Sequence, residues 1–282
     1  MTDQRPLTQG LRQFGDPRKS WRWKTGEVDY VAQLGLSEAD VPELLAAAEQ
    51  WAQKQDWPED KDDMSPYAPI HAWRALAQLK ATQAIGPLLE LLDPLDVNED
   101  DWYLQEFPTV FAWIGPVSVP ALRDYLADAD RRDFPRICVA HSLKEIPERH
   151  PQVRDDVVEI LIDALSRFED TDTTINAFII RYLLDMKATE AAEMIERAHA
   201  ADRVDTEING TWYHVRQEMC VEGLGLVPEH LSQPKPPWAY QRIPNEDSGS
   251  TPSIAGRTDR GRERKRQERK RKRQNRKKNR RR

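Results

Sequence analysis

Hydrophobic residues recur along this chain with the spacing of short amphipathic helices. One apolar stripe follows i, i+3, i+4 and i+7 and comprises Phe107, Val110, Phe111 and Ile114. Another comprises Phe178, Ile179, Tyr182, Leu183 and Met186. No segment shows the sustained alternation with period two that indicates β-strands. The pattern therefore predicts an all-α fold, with residues 27–226 almost entirely helical.

The predicted helices fall into four consecutive pairs. The pairs cover residues 69–79 with 82–92, 107–115 with 117–128, 136–146 with 153–168, and 176–186 with 189–200. A single pair of short helices cannot bury its apolar faces, whereas stacked pairs can. We therefore expect the last apolar residue of each first helix to occupy an equivalent buried position. These residues are Leu79, Ile114, Ile146 and Met186, at spacings of 35, 32 and 40.

The tripeptide Lys-Ala-Thr occurs in two of these pairs, at 80–82 and at 187–189. Both copies fall between the first and second helix of a pair, so they are predicted to form the turn. The small Ala81 and Ala188 would let the helices approach, and Thr82 and Thr189 would cap the second helix. Upstream, residues 35–54 are predicted to form another helix, with Ser37 or Asp40 as its N-cap.

The second helices also carry a family resemblance. Residues 84–89 read Ala-Ile-Gly-Pro-Leu-Leu and residues 119–122 read Val-Pro-Ala-Leu. These segments resemble HEAT repeats of the short bacterial type, the phycobilisome-lyase HEAT-like repeats, over residues 67–200. The third pair departs through a longer turn, and the fourth has Glu193 near the position where the family has proline. The resemblance implies an armadillo-like helical fold, that is, an α-α superhelix or α-solenoid. It says little about function, because such arrays mostly bind partners and only occasionally catalyse.

The net charge of −6 is the sum of two segments of opposite charge. Residues 257–282 contain 17 Lys and Arg against 3 Asp and Glu, a balance of +14, and residues 1–256 contain 25 against 45, a balance of −20. We predict four regions: an irregular N-terminal strap (1–26), a helical repeat domain (27–226), a Pro/Ser-rich linker (227–256) and a disordered basic tail (257–282). The tail has almost no apolar side chain with which to join a core.

The basic tail is the first candidate site. Its charge density suits phosphate backbones, so we predict contact with RNA, DNA or the ribosome. A solubilising tail and a tail docked on the acidic body are the alternatives. The residues expected to bind are Arg262, Arg264, Lys265, Arg266, Arg269, Lys270, Arg271, Lys272, Arg273, Arg276, Lys277 and Lys278.

A second candidate site lies near the first helix pair. Tyr67, His71 and Trp73 gather aromatic and imidazole groups there, and with Trp113 they are predicted to border a groove for a protein partner; packing in the core is the alternative. Acidic turns, such as residues 96–101 and 128–133, would form an acidic edge or carry only solvated charges. Residues 96–107 fail as a calcium loop, since Asp101 and Phe107 stand where Gly and Glu are needed.

Other chemistry is not indicated. Cys138 and Cys220 are isolated, and the six histidines lack ligand spacing, so no metal is expected. No phosphate-binding, dinucleotide-binding or nucleophile motif occurs, and no cofactor is expected. Apolar runs too short for a bilayer and the lack of a signal peptide favour a cytoplasmic protein with no membrane partner.

We therefore predict a non-enzymatic scaffold that binds a protein partner and carries a basic arm. The alternative is an enzyme of a related HEAT type. A bilin lyase would act on chromophores, and an alkylpurine DNA glycosylase would need a basic concave surface, against which the acidic body argues.

Overall fold

The computed structural model of the chain describes residues 7–50, 52 and 64–219, all within one compact unit spanning residues 1–241. The predicted linker (227–256) and basic tail (257–282) lie outside the described residues. The α-helices are α1 (Leu7–Arg12), α2 (Tyr30–Leu34), α3 (Val41–Glu49), α4 (Ala68–Gln78), α5 (Ile85–Glu90), α6 (Leu92–Val97), α7 (Trp102–Ile114), α8 (Val119–Ala127), α9 (Asp133–Arg149), α10 (Arg154–Ser166), α11 (Thr173–Asp185), α12 (Ala192–Ala200), α13 (Thr206–Asn209) and α14 (Trp212–Met219).

The prediction of an all-α fold is confirmed, because the described part of the chain contains helices and turns but no strand. The helices contact one another in a regular order. Helix α3 packs on α4, α4 on α7, α7 on α9 and α9 on α11. The second helices of the pairs follow the same order, with α5 on α8, α8 on α10 and α10 on α12. The apolar core lies between these two series.

The two Lys-Ala-Thr turns have the same backbone geometry. Lys80 and Lys187 have positive φ angles of 51° and 54°, a conformation that residues other than glycine rarely adopt. In each turn the N–H of the following alanine donates to a carbonyl five residues back, Ala81 to Leu76 at 3.1 Å and Ala188 to Leu183 at 3.0 Å. This bond closes a Schellman motif at the end of α4 and again at the end of α11.

The predicted threonine caps are wrong. A short 3-10 turn begins at Thr82 and another at Thr189, and the N-cap positions before these turns are Ala81 and Ala188, without a side-chain hydrogen bond. The alanines fit because both are buried against the neighbouring helices. Each turn is thus stabilised by a main-chain hydrogen bond to the preceding helix, and no side chain caps the 3-10 turn that follows.

The four residues predicted to be equivalent differ in position. Ile114 and Ile146 are buried, whereas Leu79 and Met186 are only half-buried, because each of the latter two is the C-cap residue of its helix. Ile146 does not end its helix. Helix α9 continues through Pro147 and is closed at His150, whose N–H donates to the Ile146 carbonyl at 3.0 Å.

The helix predicted over residues 35–54 begins as expected but is shorter in the described chain. Ser37 donates from its N–H and its Oγ to Asp40 Oδ2, at 2.7 and 2.9 Å. A 3-10 turn at Glu38–Asp40 then leads into α3, which ends at Glu49. Gln50 and Ala52 form a turn, so the helix ends before the predicted Lys54; residues 51 and 53–63 lie outside the described part of the chain.

The N-terminal strap is more ordered than its polar composition suggests. Its described part contains α1 and a 3-10 helix at Pro17–Thr25 in place of irregular chain. Trp23 is completely buried, whereas Trp21 is 57% exposed. The strap extends to Tyr30, the first residue of α2, which is also fully buried. Residues 7–30 therefore lie on the helical body with Leu11, Trp23 and Tyr30 buried against it, and the term strap refers to these residues below.

Candidate functional site

A buried ion pair joins the first helices of the first two pairs. Arg74 lies on α4 and Glu106 on α7, and their side chains are 1% and 4% exposed. The guanidinium donates two parallel hydrogen bonds, from Nε to Glu106 Oε2 at 2.8 Å and from Nη2 to Oε1 at 2.7 Å. This bidentate geometry is the strongest form of the interaction. Burial alone would lower the pKa of Arg74, but the bonds to Glu106 and its charge raise the pKa above its ordinary value.

The remaining donors of Arg74 contact the strap. Nη1 donates to Ser20 Oγ at 2.9 Å and to the Ser20 carbonyl at 3.4 Å, and Nη2 donates to the Pro17 carbonyl at 3.2 Å. The guanidinium carbon also lies 5.4 Å from the centre of the Trp23 ring, within the range of a cation–π interaction. One side chain of α4 thus holds both α7 and the strap.

His71 lies one turn before Arg74 on α4 and also contacts the strap. Its Nε2 lies 2.8 Å from the Gly15 carbonyl, and its Nδ1 lies 2.8 Å from the Tyr30 hydroxyl. The carbonyl only accepts, so Nε2 carries the proton and Nδ1 accepts from Tyr30. Burial is the main cause that lowers the pKa of His71 to about 4, and the charge of Arg74 acts in the same direction. The imidazole is therefore neutral at pH 7.

Gln78, one turn after Arg74, completes a row of contacts along α4. Its Nε2 donates to the Val28 carbonyl at 2.7 Å, and its Oε1 accepts from the Tyr30 N–H at 2.7 Å. His71, Arg74 and Gln78 are spaced i, i+3 and i+7, which places them on one face of the helix. We call these three residues the α4 stripe. Each of them donates to at least one main-chain carbonyl of the strap.

The C-terminal half of the strap contacts α7 and α9. Lys24 Nζ donates to the Gln105 carbonyl at 2.9 Å, and Arg149 Nη2 of α9 donates to the Lys24 carbonyl. The Arg149 guanidinium also stacks over the Trp113 ring, 4.4 Å from its centre. The strap therefore crosses α4, α7 and α9, the first helices of three successive pairs.

The residues predicted to border a partner groove are placed differently by the structure. His71 and Trp73 are fully buried, so in this conformation they belong to the core, the alternative that the sequence left open. Tyr67 and Trp113 are half-buried, and Tyr67 packs edge-on against Trp102 with ring centres 6.1 Å apart. His71 and Trp113 do share a surface, but the strap covers it.

A second polar cluster lies on α9 and α11. The His141 ring stacks on the Tyr182 ring, with centres 5.1 Å apart and planes 6° from parallel. Glu145 accepts from Lys144 Nζ at 3.0 Å and lies 3.2 Å from His141 Nε2. Burial raises the pKa of Glu145, but the contacts with His141 and Lys144 outweigh burial and lower it to about 2. His141, Lys144 and Glu145 thus contact one another, which is typical of a structural ion-pair cluster.

The acidic turns are partly neutralised. Arg131 binds Glu90, Asp93 and Asp128, and Arg132 donates to Asp96 Oδ2 at 2.5 Å. The Arg131 guanidinium also lies over the Tyr125 ring at 4.6 Å. These carboxylates therefore anchor the turn before α9 as well as charging the surface.

Neither a metal-binding group nor a membrane-spanning helix is found among the described residues. Among residues 7–50, 52 and 64–219, no group of three or more His, Cys, Asp and Glu side chains is arranged to hold a metal ion. Over the same residues, no helix combines the length and the apolar character needed to cross a membrane. The predicted nucleic-acid-binding residues, Arg262 to Lys278, lie outside this part of the chain.

The buried ion pair was not found from the sequence, although a signal was present. Arg74 is the only Asp, Glu, Lys or Arg residue of α4, and Glu106 is the only one of α7. A single charge inside each of two neighbouring apolar helices indicates a pair, because buried charges are rarely left without a partner.

Comparison with family models, with curated proteins and with solved structures finds no match to this chain.

Proposed function

We propose that this protein is a non-enzymatic scaffold, in which a HEAT-like α-solenoid binds a protein partner and the basic tail contacts RNA, DNA or the ribosome. The observation that carries the proposal is the order of helix contacts. Helices α4, α7, α9 and α11 pack in succession, and α5, α8, α10 and α12 do the same. Stacked helix pairs of this kind supply extended surfaces for other proteins.

The charges of the body support a protein partner rather than a nucleic acid on the helices. The described residues contain 20 Lys and Arg and 35 Asp and Glu, a balance of −15. Half of these basic residues already pair with carboxylates: Arg18, Arg22, Arg74, Arg123, Arg131, Arg132, Lys144, Arg154, Arg167 and Arg181. Such a surface repels phosphate, so the nucleic-acid contact is assigned to the tail with its balance of +14.

The side chains with catalytic potential also favour a structural role. His71 is committed to Tyr30 and to the Gly15 carbonyl, and Arg74 is committed to Glu106 and the strap. The polar groups of His71 and Arg74 are thus bound within the protein. The network therefore supports positioning of the strap rather than chemistry on a substrate.

The test is affinity capture with the full chain, with and without nuclease. Its matched variant carries Gln at the twelve tail positions named above and leaves residues 1–256 unchanged. We expect a nuclease-resistant protein partner with both chains, and nucleic acid only with the unmodified tail. Loss of every captured protein after nuclease treatment would contradict a protein-binding body.

A further inference from the structure

Side chains of the body make most of its hydrogen bonds to the strap. In the described chain, no hydrogen bond between main-chain atoms joins residues 7–30 to helices α4–α14. The body instead uses side chains, and most of them donate to strap carbonyls. The carbonyls of Gly15, Pro17, Ser20, Lys24 and Val28 are all bound in this way.

We propose that the surface under the strap is a peptide-binding groove, that the strap is its internal ligand, and that it takes a segment of a protein partner that can form the same short 3-10 helix. The groove consists of the α4 stripe, Glu106 of α7 and Arg149 of α9. This inference rests on the proposed function as a partner-binding scaffold and names the surface that would be used.

The residue types expected in the partner segment follow from the contacts that the groove makes with the strap. Contacts with carbonyls are available to any sequence, so most positions of the segment are unrestricted. Three positions are restricted through their side chains. Arg74 donates to the Ser20 hydroxyl, the Trp23 ring is fully buried beside the same guanidinium, and the buried Tyr30 hydroxyl donates to His71 Nδ1. The segment should therefore carry a small hydroxyl residue, a large aromatic residue three positions later and a tyrosine seven positions after that.

The strap competes with any such segment. A tethered segment meets its site at an effective concentration of roughly millimolar. A free segment then binds weakly, because only the small fraction of molecules with a lifted strap can accept it. Weakening the strap should raise that fraction and tighten binding of a free peptide without any change to the groove.

The experiment uses the full chain and a fluorescent peptide with the sequence of residues 13–30. The host variant is Trp23→Ala, which weakens the strap, and its matched control is Trp21→Ala, whose side chain is 57% exposed in the same 3-10 helix. We expect the peptide to bind the Trp23→Ala protein at least about tenfold more tightly than the wild-type or the Trp21→Ala protein.

Two further comparisons locate the binding. A peptide carrying Trp23→Ala should bind the Trp23→Ala protein more weakly than the native peptide does, because it lacks the ring that is buried beside Arg74. Adding Gln78→Ala to that protein should weaken binding of the native peptide severalfold, because the bonds to the Val28 carbonyl and the Tyr30 N–H are lost.

Three results would overturn the proposal. The first is a helical Trp23→Ala protein that does not bind the peptide. The second is a Trp23→Ala protein that has lost its helical circular dichroism, because the strap would then be an inseparable part of the core. The third is a nuclease-resistant partner captured equally by wild-type and Trp23→Ala protein, which would leave the scaffold function standing and exclude this groove.

Discussion

The guanidinium of Arg74 joins three parts of the chain, because it binds Glu106 of α7 and both Pro17 and Ser20 of the strap. Separations of 32 to 57 residues mean that no local sequence pattern could place these groups together. A buried charge that loses its partner is costly, whereas removal of both charges is cheaper. The pair therefore fixes the relative positions of α4, α7 and the strap more than it adds stability.

We expect Arg74→Met to lower the free energy of unfolding by about 3–5 kcal/mol, since Glu106 would be left buried without its partner. The double variant Arg74→Met with Glu106→Leu should lose less than the sum of the two single variants. Urea unfolding of all four proteins gives the coupling directly. Additive losses would show that the two side chains do not interact.

His71 should make stability depend on pH. Its pKa in the folded protein is about 4, against an ordinary value of 6.5, and the charged groups near it are Arg74, Glu106 and Asp16. The unfolded chain therefore binds more protons than the folded chain between these values. The free energy of unfolding should fall by about 3 kcal/mol as the pH is lowered from 6.5 to 4, and the His71 contribution should level off below 4.

The control for this prediction is His71→Gln, which cannot take up a proton. Its unfolding free energy should depend less steeply on pH over the same window. Some slope should remain, because burial also lowers the pKa of His199 to about 4. An identical pH dependence in the two proteins would contradict the assignment of the neutral imidazole.

The helices themselves were the most predictable feature. Stripes such as Phe107 to Ile114 are local and periodic, so the sequence was sufficient to predict the helices. The regular structure of the strap was not predictable, because Trp23 and Ser20 contact Arg74 of α4, which is distant in the sequence. The site was recovered only in part. His71 was singled out, but its burial depends on residues more than 40 positions away.

The repeated Lys-Ala-Thr turns lead to a prediction about helix ends. Lys80 and Lys187 adopt a left-handed backbone conformation, which is sterically unfavourable for residues other than glycine. Both side chains are exposed. Replacing either one with Gly should raise the free energy of unfolding by roughly 0.5–1 kcal/mol, because glycine adopts positive φ without steric cost. Replacement with Ala is the control and should give no such gain. A higher urea midpoint for the Ala variants would contradict this explanation.

Burial separates the residues once expected to be equivalent. Ile146 is fully buried between α9 and its neighbours, whereas Leu79 is half-buried at a helix end. Ile146→Ala should therefore cost about 2–5 kcal/mol, through lost burial and a cavity, and Leu79→Ala should cost less. Thermal unfolding of the two variants measures the difference. Equal losses would contradict the assignment of the difference to burial.

The chain as a whole combines an acidic helical body with a basic tail, and this division underlies the proposed scaffold. Electrostatic binding to nucleic acid releases counterions, so its strength depends on salt. If the tail neutralises about 6–10 phosphates of single-stranded RNA, log affinity should fall against log salt with a slope of about −4 to −7. Because the tail is tethered to a body of opposite charge, an isolated peptide of residues 257–282 should bind more tightly than the full chain at low salt.

The most direct test is a salt series of single-stranded RNA binding with the full chain and with the variant carrying Gln at the twelve tail positions. We expect salt-sensitive binding by the full chain and none by the variant, with unchanged helical circular dichroism in both. Binding by the variant at wild-type strength, or a full-chain affinity that does not change with salt, would contradict the division between an acidic partner-binding body and a nucleic-acid-binding tail.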